Sequence, residues 1–334
     1  MTPSRRPGGI AAARGGLLLI VSVLLVVGLV SVLRTGSGMG VGAPSASGTR
    51  PAVMRAPAKA EPIAAVHTLN INGVDRTYRS YRPVGPAGHW PMLIVLHGRG
   101  QSWRTAVDQT DFLGLARRRQ AVLVYPDGIG RSWNAGGGCC GAAAAGKVPD
   151  MAFINAVLTD SLRELPVDPS RVYLVGYSNG GKLAYDLDCL SPVRFAALAT
   201  YGAVPLTACP AGTPPTPVLI AVGRRDSILP FTGAAKAHPP TPSIRAALGW
   251  LRAQDGCTGA PTTVTVGHAV QQDWTRCTAG SEVASVLYTD QGHSWPKTPT
   301  AGTPSVSALI WQFLITHRLT GPPAPAPDSA VETS

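Results

Sequence analysis

The chain has 334 residues, and its formal charge of +11 is gathered at one end. Arg5, Arg6, Arg14, Arg34, Arg50, Arg55 and Lys59 stand in the first 60 residues with no Asp or Glu, and beyond them 22 basic residues face 18 acidic ones. The longest basic run in that remainder is Arg117, Arg118 and Arg119, which reads as a solvated surface, so a nucleic-acid partner is not expected.

Residues 15–33 carry no charge and follow three arginines. That pattern predicts either a cleaved signal peptide or an uncleaved membrane anchor over 1–34. In both cases the positive-inside rule puts the rest outside the cytoplasm, extracellular or in the cell envelope. Residues 35–62, rich in Gly, Ala, Pro and Ser, read as a flexible linker. Residues 63–319 are then one domain, large enough to bury its own core.

That domain opens on a predicted hairpin. His67–Ile71 and Arg76–Arg82 alternate, and Asn72-Gly73 supplies the turn. Pro91–Leu96, Ala121–Tyr125, Arg171–Val175 and Pro217–Val222 are short apolar runs of strands buried on both faces, with Val283–Tyr288 a fifth. Helical spacing falls at Asp150–Leu165, Asn179–Leu190, Ser243–Ala253 and Ser305–Leu319. Strands alternating with helices predict an α/β fold with a mostly parallel sheet covered on both faces. Residues 320–334 read as a disordered tail.

Gly176-Tyr177-Ser178-Asn179-Gly180 lies between a predicted strand and a predicted helix. A G-x-S-x-G motif makes chemical sense there, because the sharp turn exposes the serine hydroxyl at the head of a helix. Ser178 is the candidate nucleophile. It needs a base, and an acid to orient that base, in the chain order Ser, Asp or Glu, His. Asp226 follows the strand at 217–222, and His293 sits in the loop after 283–288. His268 instead reads as a strand residue. The oxyanion donors are expected from the backbone N–H of Asn179 and of Arg99, with Gly98 next in line. His97 is expected to hold that loop.

Six cysteines in an exported chain predict three disulfides, for which fifteen connectivities exist. Cys257 and Cys277 are the simplest pair. Adjacent cysteines rarely join, so Cys139 and Cys140 are each expected to reach one of Cys189 and Cys209.

The chain resembles the polyhydroxybutyrate depolymerase-like esterases, a group that takes in feruloyl and acetylxylan esterases. The resemblance rests on Leu96-His97-Gly98, Tyr125-Pro126-Asp127-Gly128, Trp133, Cys139-Cys140-Gly141, Val167-Asp168 with Arg171-Val172-Tyr173, the Ser178 motif through Gly181, Asp226, and Gly292-His293-Ser294-Trp295-Pro296. It implies the α/β-hydrolase fold and acyl-enzyme hydrolysis of esters, without metal or cofactor, by Ser178, Asp226 and His293. Two departures stand out. Arg99 replaces a cysteine common after His-Gly, placing a guanidinium at the site's mouth that would favour anionic substrates, and Pro149-Asp150 replaces a paired Asp-Asp. Trp133 and Trp295 either stack on a flat substrate group or pack beside the site. The expectation is a monomer acting on a small or polymeric ester. A lipase or peptidase on the same fold, or a silent envelope protein that binds a glycan or partner, are the competing readings.

Overall fold

A computed structural model describes residues 60–85 and 88–319. The predicted signal or anchor at 1–34, nearly all of the predicted linker and the tail at 320–334 lie outside the described residues. Among the described residues no helix is long and apolar enough to cross a membrane.

β1 (Ile63–Ile71) and β2 (Val74–Arg82) form the predicted hairpin, with Ile71 opposite Val74. Asn72 at φ 51° and Gly73 at φ 82° take the two left-handed positions of its turn. Next come β3 (Trp90–Leu96), α1 (Trp103–Thr110), α2 (Leu113–Arg117), β4 (Val122–Pro126), α3 (Gly141–Ala145) and α4 (Asp150–Glu164). They are followed by β5 (Val167–Tyr177), α5 (Asn179–Leu190), β6 (Ala197–Tyr201), β7 (Val218–Gly223) and α6 (Ile244–Gln254). The domain closes with β8 (Thr262–Val266), β9 (Ala269–Trp274), β10 (Val283–Tyr288) and α7 (Val306–Ile315).

The ten strands of the described residues join one sheet in the order β1-β2-β4-β3-β5-β6-β7-β10-β9-β8. From β4 across to β10 the pairing is parallel, and the strands at either end are antiparallel. Alternation along each central strand feeds two separate cores. Met92, Ile94 and Leu96 of β3 pack with α4, α5 and α6 on one face. Leu93 and Val95 pack with α1, α2 and α7 on the other. Every residue of β4, β6 and β7 is buried, as expected for strands covered on both faces. Each fully buried large aliphatic side chain contributes about 1.5–3 kcal/mol, so these strands hold the sheet's C-terminal edge firmly.

The structure adds elements that the apolar pattern missed and moves others. β6 reads Ala-Leu-Ala-Thr-Tyr, whose small residues carry little strand propensity of their own, and it is set by pairing between β5 and β7. β8 and β9 form a hairpin at the sheet's edge, and His268 lies in its turn rather than in a strand. α7 ends at Ile315, short of the predicted Leu319.

Cys257 and Cys277 are paired, closing the base of the β8–β9 hairpin. The other four cysteines pair differently from expectation. Cys139 joins Cys140 directly, across a cis peptide, and Cys189 joins Cys209. Helix length is the reason. Cys139 lies beside Lys182 in the first turns of α5, whereas Cys189 is seven residues further along, about 10 Å at the α-helical rise. Cys209, in the connection between β6 and β7, meets that far end.

Candidate active site

β5 ends at Tyr177 and α5 begins at Asn179, so Ser178 alone makes the turn. Its backbone sits at φ 51° and ψ −115°, a conformation that L-residues rarely hold without support. Support comes from both sides. Ser178 N–H donates to the Tyr201 carbonyl, and the Ser178 carbonyl accepts from Lys182 N–H. The turn also needs close approach. A Cβ on Gly180 would come within 2.5 Å of the carbonyl oxygens of Leu96 and His97, so only glycine lets α5 start against the end of β3.

Ser178, His293 and Asp226 meet at the C-terminal ends of the parallel strands. Asp226 follows β7 in a tight turn, and its Oδ1 accepts from the N–H groups of Ile228 and Leu229. Its Oδ2 is 2.7 Å from His293 Nδ1, and His293 Nε2 is 2.9 Å from Ser178 Oγ. A carboxylate only accepts, so Nδ1 carries the proton and Nε2 accepts from the serine hydroxyl. Asp226 is buried while the imidazole is partly exposed.

The loop carrying His293 is held by residues that sequence reading did not single out. Tyr177 Oη donates to the His293 carbonyl and Tyr201 Oη to the Gly292 carbonyl. Gly202 passes beneath the imidazole at φ 63°, where a Cβ would lie 3.1 Å from His293 Cε1. The one visible signal was position. Tyr177 is the variable residue of the G-x-S-x-G motif, and Tyr201-Gly202 ends an apolar run.

The two expected oxyanion donors, Arg99 and Asn179, both border the cavity that contains Ser178. Among the described residues neither backbone N–H has a protein acceptor. The alternative donor, Gly98 N–H, is already given to Gln101 Oε1. His97 is fully buried beneath this loop. It accepts from Gly128 N–H at Nε2, so Nδ1 donates to the Gly98 carbonyl. Burial pushes its pKa down, which favours this neutral, locked form.

Asn179 does more than begin the helix. Its amide pairs with both backbone groups of Trp133, accepting from Trp133 N–H at 2.7 Å and donating to the Trp133 carbonyl at 2.9 Å. Trp133 in turn donates its indole N–H to the His97 carbonyl. Trp133 is completely buried, and Trp295 packs edge-on against Tyr177 and Tyr201 with its indole N–H on Ser307. Neither tryptophan lines the cavity. Of the two roles open to them, the structure places both beside the site as packing.

The cavity holds about 400 Å³. Its walls are Arg99 and the Gly138–Gly141 segment with the joined Cys139–Cys140, Ile228, and the 237–241 stretch. Among the described residues no cluster of side chains suits a metal ion.

Residues 144–241 match the family model of the dienelactone hydrolase family, a span that contains Ser178 and Asp226 and stops before His293. The chain is 31% identical over 199 residues to a protein of Nocardia uniformis subsp. tsuyamanensis named esterase NocK, its activity marked as unproven. That match takes in 56% of this chain and 57% of NocK, so the chain spans little more than half of that relative's length. It is 26% identical over 259 residues to feruloyl esterase C of Emericella nidulans, covering 73% of this chain and 87% of that protein. Among solved structures, an acetyl xylan esterase from Aspergillus awamori superposes with a TM-score of 0.54 at 12% identity, over 75% of this chain and 98% of the other. The chain has the α/β-hydrolase fold and resembles esterases of that fold in sequence.

Proposed function

We propose that this chain is a carboxylic ester hydrolase acting through an acyl-enzyme on Ser178. The observation that carries the proposal is the continuous hydrogen-bond chain from Ser178 Oγ through both ring nitrogens of His293 to Asp226. In this reading Ser178 Oγ attacks the ester carbonyl carbon while its proton passes to His293 Nε2. The oxygen that gains charge is met by the N–H groups of Arg99 and Asn179, each such donor being worth about 2.7–4 kcal/mol in the transition state. The tetrahedral intermediate collapses, the C–O bond to the alcohol breaks, and His293 returns the proton to the departing oxygen. Water, deprotonated by the same imidazole, then cleaves the acyl-serine ester and frees the acid and Ser178. Asp226 holds Nδ1 protonated and stabilises the imidazolium at each stage.

The feruloyl esterase relative supports feruloyl esters as substrates, and the motif resemblance adds acetyl and hydroxyalkanoate esters. The arginine-flanked apolar stretch at 15–33 supports an exported enzyme, secreted or tethered, and three disulfides fit an oxidising compartment. The test is labelling of the full chain with a fluorophosphonate, together with turnover of p-nitrophenyl acetate and methyl ferulate. Labelling and turnover that vanish in Ser178→Ala are the expected result. A folded wild-type chain that neither labels nor turns over would overturn the reading.

A further inference from the structure

The walls of the Ser178 cavity are uneven in charge. Their ionisable side chains are Arg99, Lys182, His238 and His293, and among the described residues no carboxylate lines the cavity. Cys139 and Cys140 are tied to each other and cannot supply a thiolate. Asp226 lies behind His293, its oxygens committed to Ile228, Leu229 and the imidazole.

Lys182 is the less obvious of the two cations. It sits one turn into α5 from Ser178, half-buried, and its ammonium donates to Cys139 Sγ at 3.6 Å, a weak acceptor for a full charge. Burial pushes its pKa down, and the charge of Arg99 pushes the same way. Asp186, a turn further along, faces Gly136 instead, and burial raises its pKa to about 7. Arg99 lies beside Gly141, its Cδ in van der Waals reach of where a Cβ would stand. Two like charges thus face one cavity without a neutralising carboxylate, an arrangement that an anion entering the cavity would relieve.

We propose that this cavity selects esters that carry a carboxylate near the scissile carbonyl, with Lys182 and Arg99 as the pair that recognises the charge. The proposal rests on the esterase reading above. The carboxylate belongs either to the acyl group or to the alcohol, and two matched substrate pairs separate these. p-Nitrophenyl hydrogen glutarate against p-nitrophenyl pentanoate places the charge on the acyl side. 3-Acetoxybenzoate against its methyl ester places it on the leaving phenol.

The full chain is expected to favour the charged member of at least one pair by about tenfold in kcat/KM, the scale of one partly screened ion pair. Lys182→Met should abolish most of that ratio and Lys182→Arg should keep it. Added salt should erode it in the unsubstituted chain, which decides the matter even if the methionine variant does not fold. Ratios at or below one in both pairs, unmoved by salt, overturn the proposal. Loss of all turnover and labelling in the wild type would instead count against the esterase reading. Anion recognition is then decided by calorimetric titration of Ser178→Ala with 3-acetoxybenzoate and its methyl ester. Tighter, salt-sensitive binding of the anion supports it, and equal affinity overturns it.

Discussion

The hydroxyl of Tyr177 donates to the backbone carbonyl of His293 across 2.9 Å, tying the residue before the candidate nucleophile to the candidate base 116 positions away. Tyr201 repeats the contact one residue earlier, on Gly292. The two phenols fix the loop, and so the imidazole, relative to the end of β5. Burial raises both phenol pKa values, that of Tyr177 to about 12, so both remain donors at any working pH.

Tyr177→Phe is therefore expected to lower kcat on p-nitrophenyl acetate by about two- to tenfold, the worth of one net hydrogen bond. The double change with Tyr201→Phe should lower it further. Slower fluorophosphonate labelling with an unchanged unfolding midpoint would mark the effect as positional. No change in either rate would show that the loop is held without them.

Asn179→Ala should destabilise the fold. The asparagine amide satisfies both the N–H and the carbonyl of the buried Trp133. Truncation strands both, and each stranded buried group costs about 1–3 kcal/mol. A fall of about 2–4 kcal/mol in denaturant unfolding is the expected outcome, with activity falling beyond what the lost stability explains. Through Trp133, whose indole N–H is on the His97 carbonyl, this side chain also links the helix start to the loop that carries Arg99.

Arg76 and Asp150 form an ion pair at 2.7 Å with both side chains almost fully buried. Asp150 also accepts from Asn134 N–H, and the guanidinium lies over the Phe153 ring. Either single replacement, Arg76→Met or Asp150→Leu, leaves an unpaired buried charge and should cost about 3–5 kcal/mol. The double replacement should cost less than the two singles added together, which a double-mutant cycle by denaturation measures directly.

Asp255 gives a pH dependence of defined sign. Its Oδ2 accepts from Ser281 in the core near Asp188, and burial raises its pKa to about 7. The folded state then holds a proton that the unfolded chain has released between about pH 4 and 7. Its contribution to stability is complete below that window and is lost as pH rises through it. His317 acts in the opposite sense, because burial lowers its pKa to about 4. A difference measurement is therefore needed. Stability of Asp255→Asn minus that of the wild type, followed by thermal unfolding from pH 4 to 8, should rise with pH across the window. A flat difference would contradict the assignment.

Much of this site was legible in sequence because its signals are local. A branched apolar run ending in Gly-x-Ser-x-Gly marks β5 and its turn, and the loops after β7 and β10 carry Asp226 and His293 in the expected order. The rest depends on contacts between distant segments. β6 is made of small residues and becomes a strand through its neighbours. Tyr177 and Tyr201 read as core aromatics until their hydroxyls meet the 292–293 loop. Trp133 and Trp295 advertise stacking by residue type, yet both are consumed by packing. The cysteine pairing is hidden in sequence because it depends on the length of α5, which sets the distance between Cys139 and Cys189.

The glycine at 180 has a consequence for how substrate range can change. It brings the start of α5 against the end of β3, so both expected oxyanion donors hang from one rigid contact. Ile228 and the 237–241 stretch line the same cavity and take no part in that contact. Insertions or substitutions within 237–241 leave that contact where it is, whereas Ile228 holds Asp226 through its N–H. Change in that wall can then reshape the cavity while Arg99 and Lys182, on the side of the glycine contact, keep its charge.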